Sequence, residues 1–497
     1  MRLFRPSHAE PREIRLPVVC AAALLCLSVA GCVAGPNYHQ PAAPTAPEWK
    51  EAEVPPPNPP NGAWKPAQPS DQAVRGKWWE VYGDPQLNAL EEKVAVSNET
   101  LKAAMEQYLQ AREQVRVARA AYYPTLSAGP SISRTRESYN QPNTVRGTTN
   151  YQYNTFALEG QASWMPDLWG RVRRTVESAR ASAQASAADV ANVELSLQSE
   201  LATDYFEMRG LDAQKQLLDN SVTAYESYLQ LTQIRFKGGV ATESDVALAD
   251  TQLQTTKAQD IDVSVARAQF EHAVATLTGQ PASMFNLGPE PLSGTPPMIP
   301  DGLPSQLLER RPDIAAAERR VDAANAQIGI AVSAYYPTVQ LGGTGGFESR
   351  NAGTWLQGPS ALWSLGGSAV ELLFDAGQRH ALTQQARDAY EQQVANYRQS
   401  VLNAFQEVED NLSSLRILSQ ESQAQVLAVN AARRSLSIST NRYKGGVTTY
   451  LEVLTAQTAQ LSNERTQADI MTRQYAASVQ LIAALGGGWD RSQLPTL

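Results

Sequence analysis

The sequence has few of the residues that build catalytic and metal centres. Its 497 residues include four His and three Cys, and none of them falls in a cluster with metal-ligand spacing. Neither a phosphate-binding loop nor a nucleophile motif is present. These absences predict a protein that is not an enzyme and that uses no metal or other cofactor.

Positive charge and long apolar runs are also scarce. Lys and Arg total 42 against 50 Asp and Glu, giving a net charge of −8. An acidic chain without basic clusters argues against a nucleic-acid partner. Past residue 31, no apolar run approaches the roughly 18 residues that a membrane-spanning helix needs.

Two long stretches lack helix-breaking residues. Residues 171–236 contain one glycine and no proline, and residues 378–444 contain neither. At about 1.5 Å per residue, each predicts a helix of roughly 100 Å. Apolar residues recur at an average spacing near 3.5, which indicates side-by-side packing as in coiled coils. Taken alone, these helices would equally suit a plain coiled-coil spacer.

The same six-residue pattern ends both stretches, at residues 235–240 and 442–447. Its glycine pair predicts a left-handed helix end. Beyond it, Thr242 or Ser244 in the first copy and Thr448 or Thr449 in the second can cap a returning helix. A Tyr-Tyr-Pro motif, at residues 122–124 and 335–337, is repeated as well. The chain is therefore predicted to be one unit duplicated in tandem, with two helical hairpins. Their tips contain Arg235, Lys237, Gly238, Gly239, Val240, Arg442, Lys444, Gly445, Gly446 and Val447.

After each Tyr-Tyr-Pro motif the apolar residues alternate with a period of two, which is typical of strands. We expect one strand hairpin in each half, at about 125–165 and about 338–374, and so about four strands. The alternative is a small sheet of a soluble protein, with one face exposed to solvent.

The N-terminus has the pattern of an exported protein. Four arginines within residues 2–15 precede the apolar run 18–27, as in a secretory signal. The run ends at Gly31-Cys32, which resembles a bacterial lipoprotein box with Cys32 as the lipid-bearing mature N-terminus. The alternative is an ordinary signal peptide with an incidental cysteine. Val33 stands where aspartate would favour inner-membrane retention, which points to the outer membrane.

These patterns predict six segments. They are a signal peptide (1–31), a lipid-anchored proline-rich arm (32–86), a first repeat (87–280), a linker (281–310), a second repeat (311–488) and a C-terminal tail (489–497). The long hairpins are expected at about 170–278 and about 377–486.

Several motifs together resemble the outer-membrane factor family, which is TolC-like, and within it the OprM- or NodT-like lipoprotein branch. The resemblance covers essentially the whole mature chain. Besides the repeated motifs, the segments that carry it are 31–38, Trp78-Trp79 to Asp84-Pro85, 310–318, Phe374-Asp375-Ala376-Gly377 and 484–489.

The resemblance implies a mostly α-helical homotrimer with a β-barrel portion. Four membrane strands per protomer would close a shared 12-stranded barrel, and coiled-coil hairpins would form a periplasmic tunnel. The protein would be the outer-membrane channel of a tripartite efflux system and would conduct small molecules passively. Its partners would be outer-membrane lipid, a periplasmic adaptor at the tips and an inner-membrane pump, often of the RND class. The alternatives are a TolC-type channel for type I protein secretion and a periplasmic coiled-coil adaptor.

Two sets of site residues are expected. Asp245 and Glu452 stand where TolC-like channels carry acidic residues at the periplasmic gate, and Arg442 could pair with them. The alternative is that both carboxylates only complement helix N-termini. Trp164 and Trp363 would lie near a membrane interface, or would instead pack at the barrel-to-helix junction.

Overall fold

A computed structural model of the chain describes residues 33–44, 46, 49–51, 76–136, 152–299 and 307–497. The predicted signal peptide, Cys32 and about half of the proline-rich arm lie outside these residues. The chain divides into two compact units. The first comprises Met1–Gln40, Gln110–Ala183 and Arg319–Val394, and the second Pro41–Leu109, Gln184–Glu318 and Ala395–Leu497.

Long helices dominate the described residues. The two longest have 67 residues each, and the helix that follows each of them has 35. No helix in the described ranges is long and apolar enough to cross a membrane. The helices are α1 (Pro85–Ser97), α2 (Glu99–Ala120), α3 (Arg171–Lys237), α4 (Glu243–Leu277), α5 (Leu307–Arg310), α6 (Pro312–Ser333), α7 (Gln378–Lys444) and α8 (Tyr450–Ala484).

Both tips end their long helix in the same way. Gly239 and Gly446 have φ angles of +74° and +73°, so the predicted left-handed glycines are confirmed. The next residue donates its amide to the carbonyl five positions back, at 2.9 Å from Val240 to Arg235 and at 2.9 Å from Val447 to Arg442. This is the Schellman arrangement, which satisfies carbonyls that the helix end would leave free.

The four strands form one antiparallel sheet in which they lie side by side in chain order. Their bounds are β1 Thr125–Arg136, β2 Gln152–Trp164, β3 Thr338–Ser349 and β4 Ala361–Val370. Strand β4 ends four residues before the expected Phe374. Val370 already pairs with Thr338, the first residue of β3, and Pro337 before it has no amide hydrogen to extend the ladder.

A cluster of aromatic and aliphatic side chains forms the core of the second unit. Trp78 is 2% exposed and donates its indole N–H to Gln198 Oε1 at 3.2 Å. The cluster joins α1, α3, α4 and α8, and it includes Leu87, Leu201, Tyr205, Met208, Val274 and Val479.

Residues 49–51, a short described stretch within the arm, are bound to α7. The Trp49 ring packs against Phe405 with centroids 5.6 Å apart. The amides of Lys50 and Glu51 donate to the two carboxylate oxygens of Glu409, at 2.8 and 3.0 Å. This part of the arm is therefore bound to the body and does not hang free.

Glu91 in α1 is a fully buried carboxyl group. It is 0% exposed, and neither oxygen has a hydrogen-bond partner among the described residues. Burial raises the pKa of Glu91 to about 9. The group is therefore neutral in the folded protein at pH 7, whereas it ionises in the unfolded chain with a pKa of about 4.3.

We expect Glu91→Gln to stabilise the protein at neutral and alkaline pH. In the parent, the cost of burying Glu91 is absent below about pH 4.3 and grows as the pH rises toward 9, because the unfolded chain is then stabilised by ionisation of this group. At pH 7 the variant should gain on the order of 3 kcal/mol, because each pKa unit corresponds to about 1.4 kcal/mol. Thermal unfolding at pH 4 and pH 8 checks this, with the half-exposed neighbour Glu92→Gln as control. Equal melting of parent and Glu91→Gln at both pH values would contradict it.

Candidate functional site

One face of the sheet is apolar across all four strands. The strand pairing places the even-numbered residues of β1 and β2 on the same face as the odd-numbered residues of β3 and β4. Many of these side chains are exposed, Trp363 by 77% and Leu365 by 80%. The apolar part of the face comprises Leu126, Ala128, Pro130, Ile132, Phe156, Leu158, Ala162, Trp164, Val339, Leu341, Phe347, Ala361, Trp363, Leu365 and Ala369, with glycines between them. Beyond it, at the end of the sheet next to residues 136 and 152, the same face carries Arg134, Arg136, Gln152, Asn154 and Ser349.

The opposite face is mostly polar. Gln340 donates to Ser163 Oγ at 3.1 Å, and the hydroxyls of Thr344 and Ser364 lie 2.6 Å apart. This division into an apolar and a polar face is the pattern of strands that separate lipid from a water-filled interior.

Trp164 and Trp363 lie on the apolar face at different levels. Trp164 pairs with Leu341, whereas Trp363 pairs with Gly345, four residues further along β3. At about 3.3 Å per residue, the two levels are roughly 13 Å apart. The Trp164 indole donates to the carbonyl of Tyr122 at 3.0 Å, so this side chain also contacts the segment before β1.

Strands β1 and β4 are the edges of the sheet. Among the described residues, each of them pairs with one strand only. An open edge presents unpaired amides and carbonyls, which a membrane interior does not tolerate. A sheet with this apolar face therefore needs further strands before it can span a bilayer.

Arg235 connects the two hairpin tips in the second unit. Its guanidinium lies over the ring of Tyr443, 4.7 Å from the centroid, and its Nη1 donates to the carbonyl of Lys444 at 3.1 Å. The sequence suggested only a partner-contact role for Arg235. The structure adds a contact between residues that are more than 200 positions apart in the chain.

Buried tyrosines pack beneath this contact. Tyr443 and Tyr450 are 2% and 0% exposed, and their rings meet edge to face at 5.6 Å. The Tyr228 hydroxyl, from the first hairpin, lies 3.0 Å from Thr440 Oγ1 in the second. Sequence reasoning did not select Tyr443, although its place in the repeated tip pattern was the available signal.

The three candidate gate residues make two separate interactions. Arg442 pairs with Glu452 at 3.2 Å, and both side chains are about half exposed. Asp245 accepts from the backbone amide and hydroxyl of Thr242, at 2.9 and 2.8 Å, in a capping box at the start of α4. At the start of α8, Thr449 makes no side-chain cap.

The remaining tip residues are exposed. Lys237 and Lys444 face solvent at the two helix ends. Phe236 is 45% exposed, Val240 66% and Val447 71%. The tips thus combine apolar side chains and positive charge, a mixture suited to binding another protein.

Within the described residues, no group of three or more His, Cys, Asp or Glu side chains could hold a metal ion.

Comparisons with known proteins agree with these features. The chain matches the Outer membrane efflux protein family over residues 90–280 and 303–487. It is 30% identical over 465 residues to the probable efflux pump outer membrane protein TtgC of Pseudomonas putida, covering 92% of this chain and 93% of that protein. It is 29% identical over 479 residues to the outer membrane protein OprJ of Pseudomonas aeruginosa, covering 95% and 96%.

A solved structure of the outer-membrane channel OprN superposes with a TM-score of 0.83 at 29% identity, covering 92% of this chain and 100% of that one. The predicted fold class, helical with a strand portion of the TolC-like kind, is confirmed. Because the family match includes both halves and most of the chain, the protein belongs to the outer membrane efflux protein family.

Proposed function

We propose that three copies of this chain form the outer-membrane channel of a tripartite efflux system and conduct small molecules passively. The observation that carries the proposal is the four-stranded sheet, which has one apolar face and two open edges. The chain is an outer-membrane protein and not an enzyme, as its family indicates.

The strand count supports a trimer. Barrels made by one bacterial chain begin at eight strands, so four strands cannot close alone. Three copies would supply twelve and pair β4 of one copy with β1 of the next. Native mass spectrometry in detergent should show a species of three times the protomer mass. A protein found only as monomer or dimer would contradict the proposal.

The hairpin tips are the proposed gate and partner surface. Arg235 would hold the two tips of one protomer together, and Asp245 with Glu452 would gather six carboxylates at a narrow mouth in the trimer. The exposed Phe236, Val240 and Val447 would contact a periplasmic adaptor. That adaptor would link the channel to an inner-membrane pump, which we propose to be of the RND class.

Small-molecule efflux is favoured over protein secretion by the comparisons. TtgC is described as an efflux pump outer membrane protein, whereas a type I secretion channel would share the same fold. A coiled-coil adaptor is disfavoured, because the sheet joins the strand hairpins of both halves.

We also propose lipid attachment at Cys32, motivated by the box that follows the apolar run. Cys32→Ser is expected to leave an unprocessed precursor without lipid, because the modified thiol is lost. The barrel should still fold, since its strands supply their own insertion. Mass spectrometry of the parent checks this. A mature N-terminus without acyl mass would show that the box is incidental.

A further inference from the structure

The segment just after the predicted lipid site lies in a groove of the first unit. Residues 33–37 run between the start of α3 and the C-terminal half of α6. The amide of Ala34 donates to the carbonyl of Trp169 at 3.0 Å, and the Asn325 side chain donates to the carbonyl of Pro36 at 3.1 Å. The segment is therefore held through a backbone amide that donates and a backbone carbonyl that accepts.

Arg174 forms the floor of this groove. Its side chain is 3% exposed. It donates from Nε to the carbonyl of Ala34 at 3.1 Å, and from Nη2 to the carbonyl of Gly35 at 3.2 Å and Asn37 Oδ1 at 3.0 Å. Its Nη1 pairs with Glu177 at 2.7 Å. The segment therefore supplies three of the four hydrogen bonds that Arg174 makes here, and bonds to a charged group are among the stronger ones.

Two glycines allow the backbones to touch. A Cβ atom on Gly329 would lie 2.8 Å from the carbonyl oxygen of Ala34, and one on Gly35 would lie 2.4 Å from the Cα of Gly329. Gly35 also has a φ angle of +83°, which strains other residues. The close fit of segment and groove therefore depends on glycine at both positions.

The groove is built on residues that lead into the sheet. Trp169, whose carbonyl accepts from the Ala34 amide, donates its indole N–H to the carbonyl of Pro337 at 2.7 Å. Its ring stacks on Tyr336 with centroids 5.0 Å apart. Pro337 immediately precedes β3. Trp and Tyr are the side chains that favour membrane–water interfaces, so we expect the groove to lie at the level where the strands would enter the bilayer.

We propose that residues 33–37 are a docking segment, that the α3–α6 groove is its receptor, and that docking holds the lipid-bearing N-terminus at the level where β3 begins. The inference rests on the proposed lipidation of Cys32. Consecutive Cα atoms are about 3.8 Å apart, so a docked Val33 restricts where the lipid can reach. Lipid and strands then enter the membrane as one rigid unit, and the lipid is not the end of a loose tether.

A spin label at residue 33 tests the docking. Val33→Cys offers the single free thiol of the lipidated chain, because the other natural cysteines leave with the signal and Cys32 carries lipid. Val33 is 37% exposed, which leaves space for the label. In the parent trimer we expect a broad, immobilised line shape. Adding Gly329→Ala should change this line shape to the narrow one of a mobile label. Alanine is the better helix former, so the substitution is not expected to weaken α6 itself.

Gly353→Ala is the matched control, since a Cβ there meets nothing within 4 Å, and its line shape should equal that of the parent. A label at Pro36→Cys repeats the test in case the first label itself blocks the groove. Labels that are mobile at both positions in the parent, or unchanged by Gly329→Ala, would overturn the docking proposal. The intact mass of the same samples reports acylation separately, so loss of lipid is distinguished from loss of docking.

Discussion

Leu365→Arg is expected to prevent most of the protein from reaching its membrane-inserted trimeric form. Leu365 lies midway along β4 on the apolar face and is 80% exposed in the single chain. Arginine on the lipid face near the bilayer midplane costs about 2–4 kcal/mol. The trimer repeats this cost three times. Heat-resistant trimer extracted from outer membranes should therefore fall to a small fraction of the parent level.

Ser364→Arg is the matched control, because it places the same charge one residue away on the opposite face. It loses the contact with Thr344, worth about 1 kcal/mol, but its arginine would face the polar interior. Trimer recovery should stay near that of the parent. Equal loss of trimer in the two variants would show that the two faces of the sheet do not contact lipid and water, respectively.

Arg235→Gln is expected to raise the open fraction of the channel. The variant loses a cation–π contact and a charged hydrogen bond that join the tips, interactions worth about 0.5–2 and about 1.5–3 kcal/mol. A loss of about 2 kcal/mol changes a closed-to-open ratio roughly 30-fold. Single-channel recording in planar bilayers should show higher conductance or longer openings than the parent.

Lys237→Gln removes the same charge from the same tip, where the side chain faces solvent, and should leave gating unchanged. In the same recordings, Asp245→Ala/Glu452→Ala should weaken block by cations if the six carboxylates line the mouth. If Arg235→Gln behaves like Lys237→Gln, the contact does not hold the gate. If the double variant matches the parent, the two carboxylates act only at their helix ends.

Local patterns were sufficient to predict the elements of this protein. Long runs without proline indicated α3 and α7, and the repeated Gly-Gly pair indicated where they end. Alternation identified the strands, because a period of two follows directly from strand geometry. Local signals were less reliable for the threonine caps. Thr242 accepts the expected bond from α4, whereas Thr449 makes none.

Contacts between distant parts of the chain could not be predicted in this way. Arg235 meets Lys444 only because the two hairpins pack together, and a single sequence contains no signal for that pairing. The approach of Gly35 to Gly329 is likewise a property of the packed groove. The burial of Glu91 breaks the usual rule that carboxylates stay at the surface. Its residue type alone therefore predicts an exposed position.

The most direct test of the channel is the conductance of the parent protein. The purified trimer, added to a planar bilayer from one side, should produce discrete current steps of one principal size, because each inserted trimer contributes one pore. Leu365→Arg protein purified in parallel should produce few or none. The contradicting result is that parent trimers insert without producing any current and that inserted Arg235→Gln trimers produce none either. The protein would then not be a channel.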